Sequence, residues 1–257
     1  MLLCIDVGNT NIKLGIFSDQ TMRGHWRIAT TRGRLTDEYA MLLINLFASE
    51  DITTGQITGC AISSVVPQLT QVFAELSQRY LNQEPLILGP ATHTGMKINT
   101  DYPAEVGSDL VVNALAARHL YGTPVIAIGF GTATTFVAVS SQGDIEGVAI
   151  APGIATSGDS LFRATSTLPQ VALARPQTAI GKNTIQSMQS GFVFGFTGLV
   201  KELVELIQAE LGGNAHVIAT GGLANLIVPG AGVIEAIEPH LALIGLRLLY
   251  ELNRAQK

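Results

Sequence analysis

The sequence predicts an α/β protein built from two related halves. Two stretches carry this expectation: LCIDVGNTNIKLG at residues 3–15 and AIGFGTATTF at residues 127–136, each an apolar strand that turns into a second strand. With Ile5 laid on Ile128 and Gly8 on Gly131, the copies stand nearly half the chain apart, as in a duplicated domain. Strand and helix patterns alternate after each hairpin, which is typical of α/β layers.

In the first half, apolar runs predict strands, and apolar residues at helical spacing predict helices. Thr36-Asp37-Glu38 is a plausible helix start, because acidic side chains are favourable in the first turn. The segment from Gly89 to Gly107 is rich in loop-forming residues. The predicted strands are Leu2–Ile5, Ile12–Phe17, His25–Ala29, Gly59–Val65 and Pro85–Leu88, and the predicted helices are Thr36–Ala48, Gln68–Arg79 and Asp109–Leu120.

The second half repeats the hairpin and continues with a long helix. A polar loop is expected to reach about Lys182, before that helix. The boundary between the halves is placed near residue 118, which predicts domains at 1–117 and 118–257. The predicted strands are Val125–Ile128, Thr135–Val139, Gly147–Ile150 and Val217–Ala219, and the predicted helices are Ile185–Leu211 and His240–Asn253.

Composition excludes several classes of protein. Charged residues make up 14% of the chain and mean hydropathy is +0.36, but the uncharged windows are broken by Gly, Pro and polar residues, so no membrane span is expected. The start, MLLCIDVG, lacks the basic region of a signal peptide, and two cysteines suggest no disulfide framework, so a cytoplasmic protein is expected. A net charge of −5 without a basic cluster argues against nucleic acid, and five scattered histidines show no metal spacing.

The first hairpin turn has the composition of a phosphate site. Gly8 allows a sharp turn, and backbone N–H groups with the Asn9 and Thr10 side chains suit phosphate oxygens. Asp6 would repel bare phosphate, so its position favours a hard cation such as Mg²⁺ between them. Lys13 on the next strand reaches toward a phosphate. An ordinary hairpin with an Asx turn is the alternative interpretation of these residues.

Three further stretches contain candidate ligand-binding or catalytic residues. Gly131-Thr132 repeats the turn with hydroxyl groups but has Gly129 where the first copy has Asp6. Thr220-Gly221-Gly222 ends a buried strand, where α/β sheets bind ligands. Asp109 follows a Gly-Ser pair at a predicted helix start, where it serves either as a cap or as a general base for phosphoryl transfer.

With these motifs, the sequence resembles the type III pantothenate kinases, members of the superfamily of acetate and sugar kinases, actin and heat-shock ATPases. The resemblance implies two duplicated ribonuclease-H-like domains with a cleft between them. It also implies ATP-dependent phosphorylation of pantothenate at the start of coenzyme A synthesis, a homodimer, Mg²⁺, and activation by K⁺ or NH₄⁺. The matching stretches are DVGNTN (6–11), WRIATTRGRLTDE (26–38), ISSVVP (62–67), PAEVGSD (103–109), GTATTF (131–136), APG (151–153), TAIGKNTIQSMQSG (178–191), TGG (220–222) and GL (245–246).

The resemblance also implies roles for individual residues. Asp109 falls on the catalytic base, and Gly107 and Ser108 fall on the pantothenate-binding turn. Thr184 falls on a hydroxyl that reaches pantothenate across the dimer interface, and Asp6 on the Mg²⁺ position. The residues that fall on ATP and phosphate loops are Asp6, Val7, Gly8, Asn9, Thr10, Asn11, Ile12, Lys13, Gly131, Thr132, Gly221 and Gly222.

Four positions depart from the family pattern. Leu110 stands where an arginine would contact pantothenate, and Thr100 where a substrate-side tyrosine is usual. Gly129 replaces the aspartate of the monovalent-cation site, and Val137 replaces a further acid. An aliphatic side chain donates no hydrogen bond to a carboxylate, and glycine offers no anionic oxygen.

These departures leave three functions open. The first is an active pantothenate kinase with relaxed cation dependence. The second is a catalytically weakened homologue that acts as a binding subunit, in a heterodimer with an active paralogue. The third is a kinase for another small hydroxylated acceptor, with loss of the arginine as a change of specificity.

Overall fold

The computed structural model describes residues 1–254, which form two compact units. The first unit contains Met1–Lys97, Asp101–Ala116 and the C-terminal helix, and the second contains Ile98–Thr100 and Ala117–His240. The two units therefore differ from the expected domains 1–117 and 118–257 mainly in the C-terminal helix. That helix belongs to the first unit because it packs its apolar face on the first sheet.

The first unit is a five-stranded mixed sheet with helices on both faces. Its strands run in the order β3-β2-β1-β4-β5; β1 pairs antiparallel with β2 and parallel with β4. The strands are β1 (Leu2–Val7), β2 (Asn11–Ser18), β3 (Thr21–Ala29), β4 (Gly59–Ser64) and β5 (Leu86–Ile87), and the helices are α1 (Thr36–Ala48), α2 (Pro67–Leu81), the start of α3 (Ser108–Tyr121) and, after the second unit, the C-terminal helix α7 (Leu241–Arg254).

Alternation along β1 divides the core of this unit. Leu3 and Ile5 face one cluster with α1 and α2, whereas Cys4 faces a second cluster with α7 and α3. Gly245 of α7 meets the carbonyl of Val112 so closely that a Cβ would collide with it. This glycine lets α7 lie directly against α3.

The second unit repeats the sheet plan. Its strands run in the order β10-β9-β6-β7-β8, and β6 pairs antiparallel with β7 and parallel with β9, as β1 pairs with β2 and β4. The expected duplicated α/β architecture is confirmed. The elements are β6 (Val125–Phe130), β7 (Ala133–Val139), β8 (Ile145–Pro152), α4 (Ile154–Ala164), α5 (Thr184–Glu210), β9 (His216–Thr220), α6 (Ala224–Ala231) and β10 (Ala236–Ile237).

Sequence patterns missed three elements here, the first of which is helix α4, Ile154–Ala164. Helix α6 contains Pro229, which normally ends a helix, and β10 has only two residues. The expected loop before Lys182 agrees with the absence of helix and strand between residues 165 and 183. Among residues 1–254, no helix has the length and apolar character to cross a membrane.

Candidate active site

Asp6 lies at the carboxyl end of β1 as a buried acid. Its residue is 4% exposed, and its Oδ2 atom lies 3.3 Å from Nζ of Lys13, the directly paired residue on β2. The other oxygen, Oδ1, is buried and has no hydrogen-bond partner among the described residues. Because an unsatisfied buried carboxylate oxygen is costly, this atom is suited to a ligand or a metal ion.

The turn after β1 is held closed by its own backbone. The Gly8 N–H donates to the Asn11 carbonyl at 3.0 Å, and a Cβ at Gly8 would stand 2.9 Å from that same oxygen. The hydroxyl of Thr30 donates to the Gly8 carbonyl at 2.7 Å, and Arg32 Nη2 donates to Asn9 Oδ1 at 3.3 Å. The loop therefore needs glycine here and presents exposed Asn9 at its tip.

Ser108 fastens the start of α3 to the end of β4. Its hydroxyl accepts from the N–H of Ser64 and donates to the carbonyl of the same residue, both at 3.1 Å. The buried Ser63, which is the β4 partner of Asp6, donates to the Ser108 oxygen at 3.1 Å. These bonds hold the first turn of α3 at the strand end that carries Asp6.

Asp109 follows Ser108 in the first turn of α3. Burial raises the pKa of its carboxyl, and the negative charge of Asp6 raises it further, while the N–H of Leu110 and the charge of Lys13 act in the opposite direction. Its Oδ1 atom would stand 2.6 Å from a Cβ at Gly107, so glycine leaves room for the carboxylate. A carboxylate with a raised pKa that also feels the positive charge of Lys13 is suited to accept a proton from a substrate hydroxyl.

In the second unit, three glycines lie against the β6–β7 turn. The Gly131 N–H donates to the Ala133 carbonyl at 3.0 Å, and the Gly153 N–H donates to the Thr132 carbonyl at 3.1 Å. A Cβ at Gly153 would collide with the Gly131 and Thr132 carbonyls, and one at Gly221, where φ is +104°, would collide with the Phe130 carbonyl. The turn is one residue shorter than its counterpart at residues 8–10.

Gly129 lies between two threonines in one row of the second sheet. It pairs with Thr135 on β7 and with Thr220 on β9, so all three side-chain positions share a face. A Cβ at Gly129 would stand 2.7 Å from Thr135 Oγ1, and Thr220 Oγ1 is buried without a partner in the described part of the chain. Hydroxyl oxygens therefore flank the position where the first unit has Asp6.

Comparison with known proteins identifies the family of this chain. A family model described as type III pantothenate kinase matches residues 2–206. The chain belongs to the type III pantothenate kinase family. A family member from Roseiflexus sp. (strain RS-1) is 52% identical over 255 residues, covering 99% of this chain and all of its own. Another, from Geobacter sulfurreducens, is 49% identical over 254 residues with the same coverage.

Solved structures share the fold at low identity. The activator of 2-hydroxyisocaproyl-CoA dehydratase from Clostridium difficile, with bound ADPNP, has a TM-score of 0.59 at 11% identity, covering 99% of this chain and 95% of its own. Component A of (R)-2-hydroxyglutaryl-CoA dehydratase from Acidaminococcus fermentans has a TM-score of 0.56 at 15% identity, covering 100% and 99%. These likenesses show that the duplicated α/β fold extends over nearly the whole chain.

The structure brings together only part of the residue set expected from the family resemblance. Asp6, Lys13, Ser108 and Asp109 meet in the first unit. Val7 and Ile12 are fully buried, so their contribution to a phosphate loop is limited to the backbone, and Leu110 is 5% exposed. Their ligand-binding roles stay predictions.

In the second unit, the β6–β7 turn brings together Gly131, Thr132 and Gly221. Gly222 is the residue after Gly221 in the sequence. Thr184 is the exposed first residue of α5. Oγ1 of Thr100 is buried without a partner among residues 1–254. The roles of all these residues also stay predictions.

Sequence reasoning assigned no role to several residues that build the site. The serines of ISSVVP anchor α3, and the glycine of APG lies on the second turn. Both stretches were matched as motifs, but nothing in their local pattern indicates the distant partner.

Proposed function

We propose that this chain transfers the γ-phosphoryl group of ATP to the 4′-hydroxyl of pantothenate in the cytoplasm, the first step of coenzyme A synthesis. The observation that carries the proposal is the position of Asp109, a carboxylate with a raised pKa at the start of α3, near Asp6 and Lys13. Cys4 and Cys60 are buried and form no disulfide, which suits a reducing compartment.

Different residues of this chain have different roles in the phosphoryl transfer. Asp109 accepts the proton of the 4′-hydroxyl as its oxygen forms a bond to the γ-phosphorus. The bond from that phosphorus to the β,γ-bridging oxygen breaks, and its electron pair leaves with ADP. Lys13 and the backbone of the Gly8 turn stabilise negative charge on the phosphoryl oxygens.

Asp6 fits a magnesium ion. Its Oδ1 is buried and unpartnered, and Mg²⁺ in phosphoryl-transfer sites usually takes one or two carboxylates plus phosphate oxygens and water. The described residues contain no group of three metal-ligating side chains, so phosphates are needed to complete the shell. When bound, Mg²⁺ neutralises phosphate charge.

Monovalent cation dependence is expected to be weak in this chain. Gly129 supplies no carboxylate, which leaves hydroxyl oxygens of Thr135 and Thr220 and backbone carbonyls near that position. A cation site without an anionic ligand loses the direct charge attraction.

We further infer a homodimer through the second unit. Large apolar side chains are exposed on β8, on α4 and near the start of α5, and large apolar surface patches often mark contacts between proteins. A second copy of the chain buries them in this proposal, with Thr184 at the interface. The exposed residues are Val148, Ile150, Leu161, Phe162, Ile180 and Ile185.

The test is a product assay with purified protein, ATP, Mg²⁺ and pantothenate over a series of K⁺ and NH₄⁺ concentrations. We expect 4′-phosphopantothenate at every cation concentration, with Asp109→Asn as the inactive control. Absence of product throughout the series contradicts the proposal. Sedimentation of the same sample tests the dimer.

If that assay is negative, two other functions apply: a binding subunit, or a kinase for a different acceptor. The buried Leu110, with Thr100 and Gly129, is the observation that supports them. Activity that appears only after mixing with an active family member identifies a partner subunit. Phosphorylation of a different hydroxylated compound in an acceptor screen identifies a kinase of altered specificity.

A further inference from the structure

A row of polar and charged residues crosses the first sheet at the level of Asp6. Asp6 pairs with Ser63 on β4 and with Lys13 on β2, and Lys13 in turn pairs with Arg27 on β3. Side chains of directly paired residues project from the same face of a sheet. Arg27 therefore shares a face with Asp6, two strand spacings away, or about 10 Å.

Helix α7 leaves this end of the row open. It covers the same face two residues further along β2, where Leu243 contacts Gly15. Arg27 itself is exposed on the edge strand β3. Within residues 1–254, its guanidinium makes no hydrogen bond or ion pair, whereas the neighbouring Arg32 and Arg34 contact Asn9 and the ring of Tyr39.

The charges in this row do not balance locally. Lys13 is paired with Asp6, and Arg27 stands directly opposite Lys13, where like charges are destabilising. The nearby acid, Asp109, responds electrostatically to Asp6 and Lys13, which places the start of α3 beside the same row. An anionic group bound between Lys13 and Arg27 would offset their repulsion.

We propose that Arg27 is a substrate-binding residue that, with Lys13, holds an anionic oxygen group of a substrate beside Asp6. The inference rests on the proposed function, which supplies two such groups: the carboxylate of pantothenate and the phosphates of ATP. Arginine suits either, since its planar guanidinium forms two parallel hydrogen bonds to carboxylate or phosphate. Leu110 provides no such donor.

The experiment compares wild type with Arg27→Gln and Arg27→Lys, using Arg23→Gln as the matched control. Arg23 is exposed on the same strand, four residues before Arg27, and among the described residues it makes no hydrogen bond or ion pair with Asp6 or Lys13. Steady-state KM is measured separately for ATP, for pantothenate and for pantothenol, which has a hydroxyl in place of the carboxylate.

We expect Arg27→Gln to raise one KM about 10- to 100-fold, with kcat nearly unchanged, because charged hydrogen bonds contribute strongly to binding. A rise for pantothenate but not pantothenol assigns the carboxylate, and a rise for ATP assigns the phosphates. Arg27→Lys is expected to recover part of the loss, since it keeps the charge without the fork. The thermal midpoint is expected to stay or rise, as the repulsion with Lys13 is removed.

Unchanged KM values for all three compounds in Arg27→Gln overturn the inference, as does an equal effect of Arg23→Gln. A lowered thermal midpoint with unchanged KM assigns Arg27 a structural role only and overturns it too. If wild type does not phosphorylate pantothenate, the proposed function fails separately. The Arg27 inference is then decided by calorimetric titration of wild type and Arg27→Gln with Mg²⁺-ATP and with pantothenate, where equal affinities of the two proteins for each compound overturn it.

Discussion

Asp6 and Lys13 face each other across the first hairpin, with Lys13 Nζ 3.3 Å from one carboxylate oxygen of Asp6 and the other oxygen buried without a partner. Lys13 thus pairs with one carboxylate oxygen of Asp6 and leaves the other oxygen available to a ligand. The same ammonium lowers the pKa of Asp109, which Asp6 raises. One lysine therefore affects both the proposed metal-binding acid and the proposed base.

Lys13→Met is expected to reduce kcat/KM by about 100-fold or more, because it removes a cation from the phosphoryl site. It also leaves the Asp6 carboxylate unpaired, at a cost of about 1–3 kcal/mol in the free energy of unfolding. The acid limb of the pH–rate profile is expected to move to higher pH, since Lys13 no longer lowers the Asp109 pKa. Steady-state kinetics across pH and urea unfolding measure these effects.

The control is Lys201→Met, which removes an exposed lysine that pairs with Glu205 on α5 at 3.8 Å. It is expected to change neither activity nor the pH profile. A Lys13→Met protein with the wild-type acid limb would show that Lys13 and Asp109 do not interact.

Asp109→Asn is expected to abolish most activity, by about 10²- to 10⁴-fold, while stabilising the fold at neutral pH. An acid whose pKa is raised by folding binds its proton more tightly in the folded state. Folding is therefore penalised as pH rises above the ordinary value of 3.8, and the penalty is complete above the raised pKa. Asparagine carries no such penalty.

Thermal unfolding of wild type and Asp109→Asn across pH tests this. The gain in thermal midpoint is expected at pH 7 and to disappear as pH falls below 3.8. Asp101→Asn, an exposed acid in the preceding loop, is the control and should show no comparable gain. A less stable Asp109→Asn protein at pH 7 would contradict the desolvation of this carboxyl.

The sheets and most helices were predictable because local periodicity determines which residues are buried. The two hairpins, with Gly8 and Gly131 at their turns, carry alternating or continuous apolar runs that only a sheet core accommodates. Helix α6 was missed because Pro229 interrupts its pattern. Periodicity also shows that α7 has an apolar face, but not that this face packs on the first sheet.

The candidate site was predictable where one short segment contains the chemistry, as with Asp6 and Lys13. It was not predictable where partners are distant in sequence. The bonds from Ser108 to Ser63 and Ser64 join residues more than 40 positions apart, and no local pattern indicates them. The same holds for Gly153 against the β6–β7 turn.

Ser108→Ala is expected to lower the free energy of unfolding by about 1–3 kcal/mol, because the Ser64 N–H loses its acceptor. It is also expected to lower kcat more than it raises KM, since the first turn of α3 carries Asp109. Ser108→Thr keeps the hydroxyl and should recover part of both losses. Denaturant unfolding and steady-state kinetics measure them, with exposed Ser141→Ala as the control; a stability loss without a kcat loss would separate Ser108 from Asp109.

Leu110→Arg introduces the arginine that the family resemblance implies here, but at a position that is 5% exposed. Burying the guanidinium is expected to cost about 2–5 kcal/mol, so a lower thermal midpoint without a gain in activity is the expected result. Leu110→Met, which conserves volume, should cost less than about 1.5 kcal/mol. A stable, more active Leu110→Arg protein would show that this side chain reaches the substrate.

Gly129→Asp is expected to make activity depend on K⁺, because it adds an anionic oxygen between Thr135 and Thr220. Its Cβ meets Thr135 Oγ1 at 2.7 Å, so the threonine must rotate before the new carboxylate fits. Gly129→Ala measures that steric cost alone, and it is expected to be smaller in a Thr135→Ala background, with a coupling of at least about 0.5 kcal/mol. Thermal unfolding of the four proteins in that cycle gives the coupling, and additive changes would contradict the contact.

Assays with and without K⁺ compare wild type with Gly129→Asp. Equally strong activation of both proteins by K⁺ would mean that the cation is bound without a carboxylate at this position.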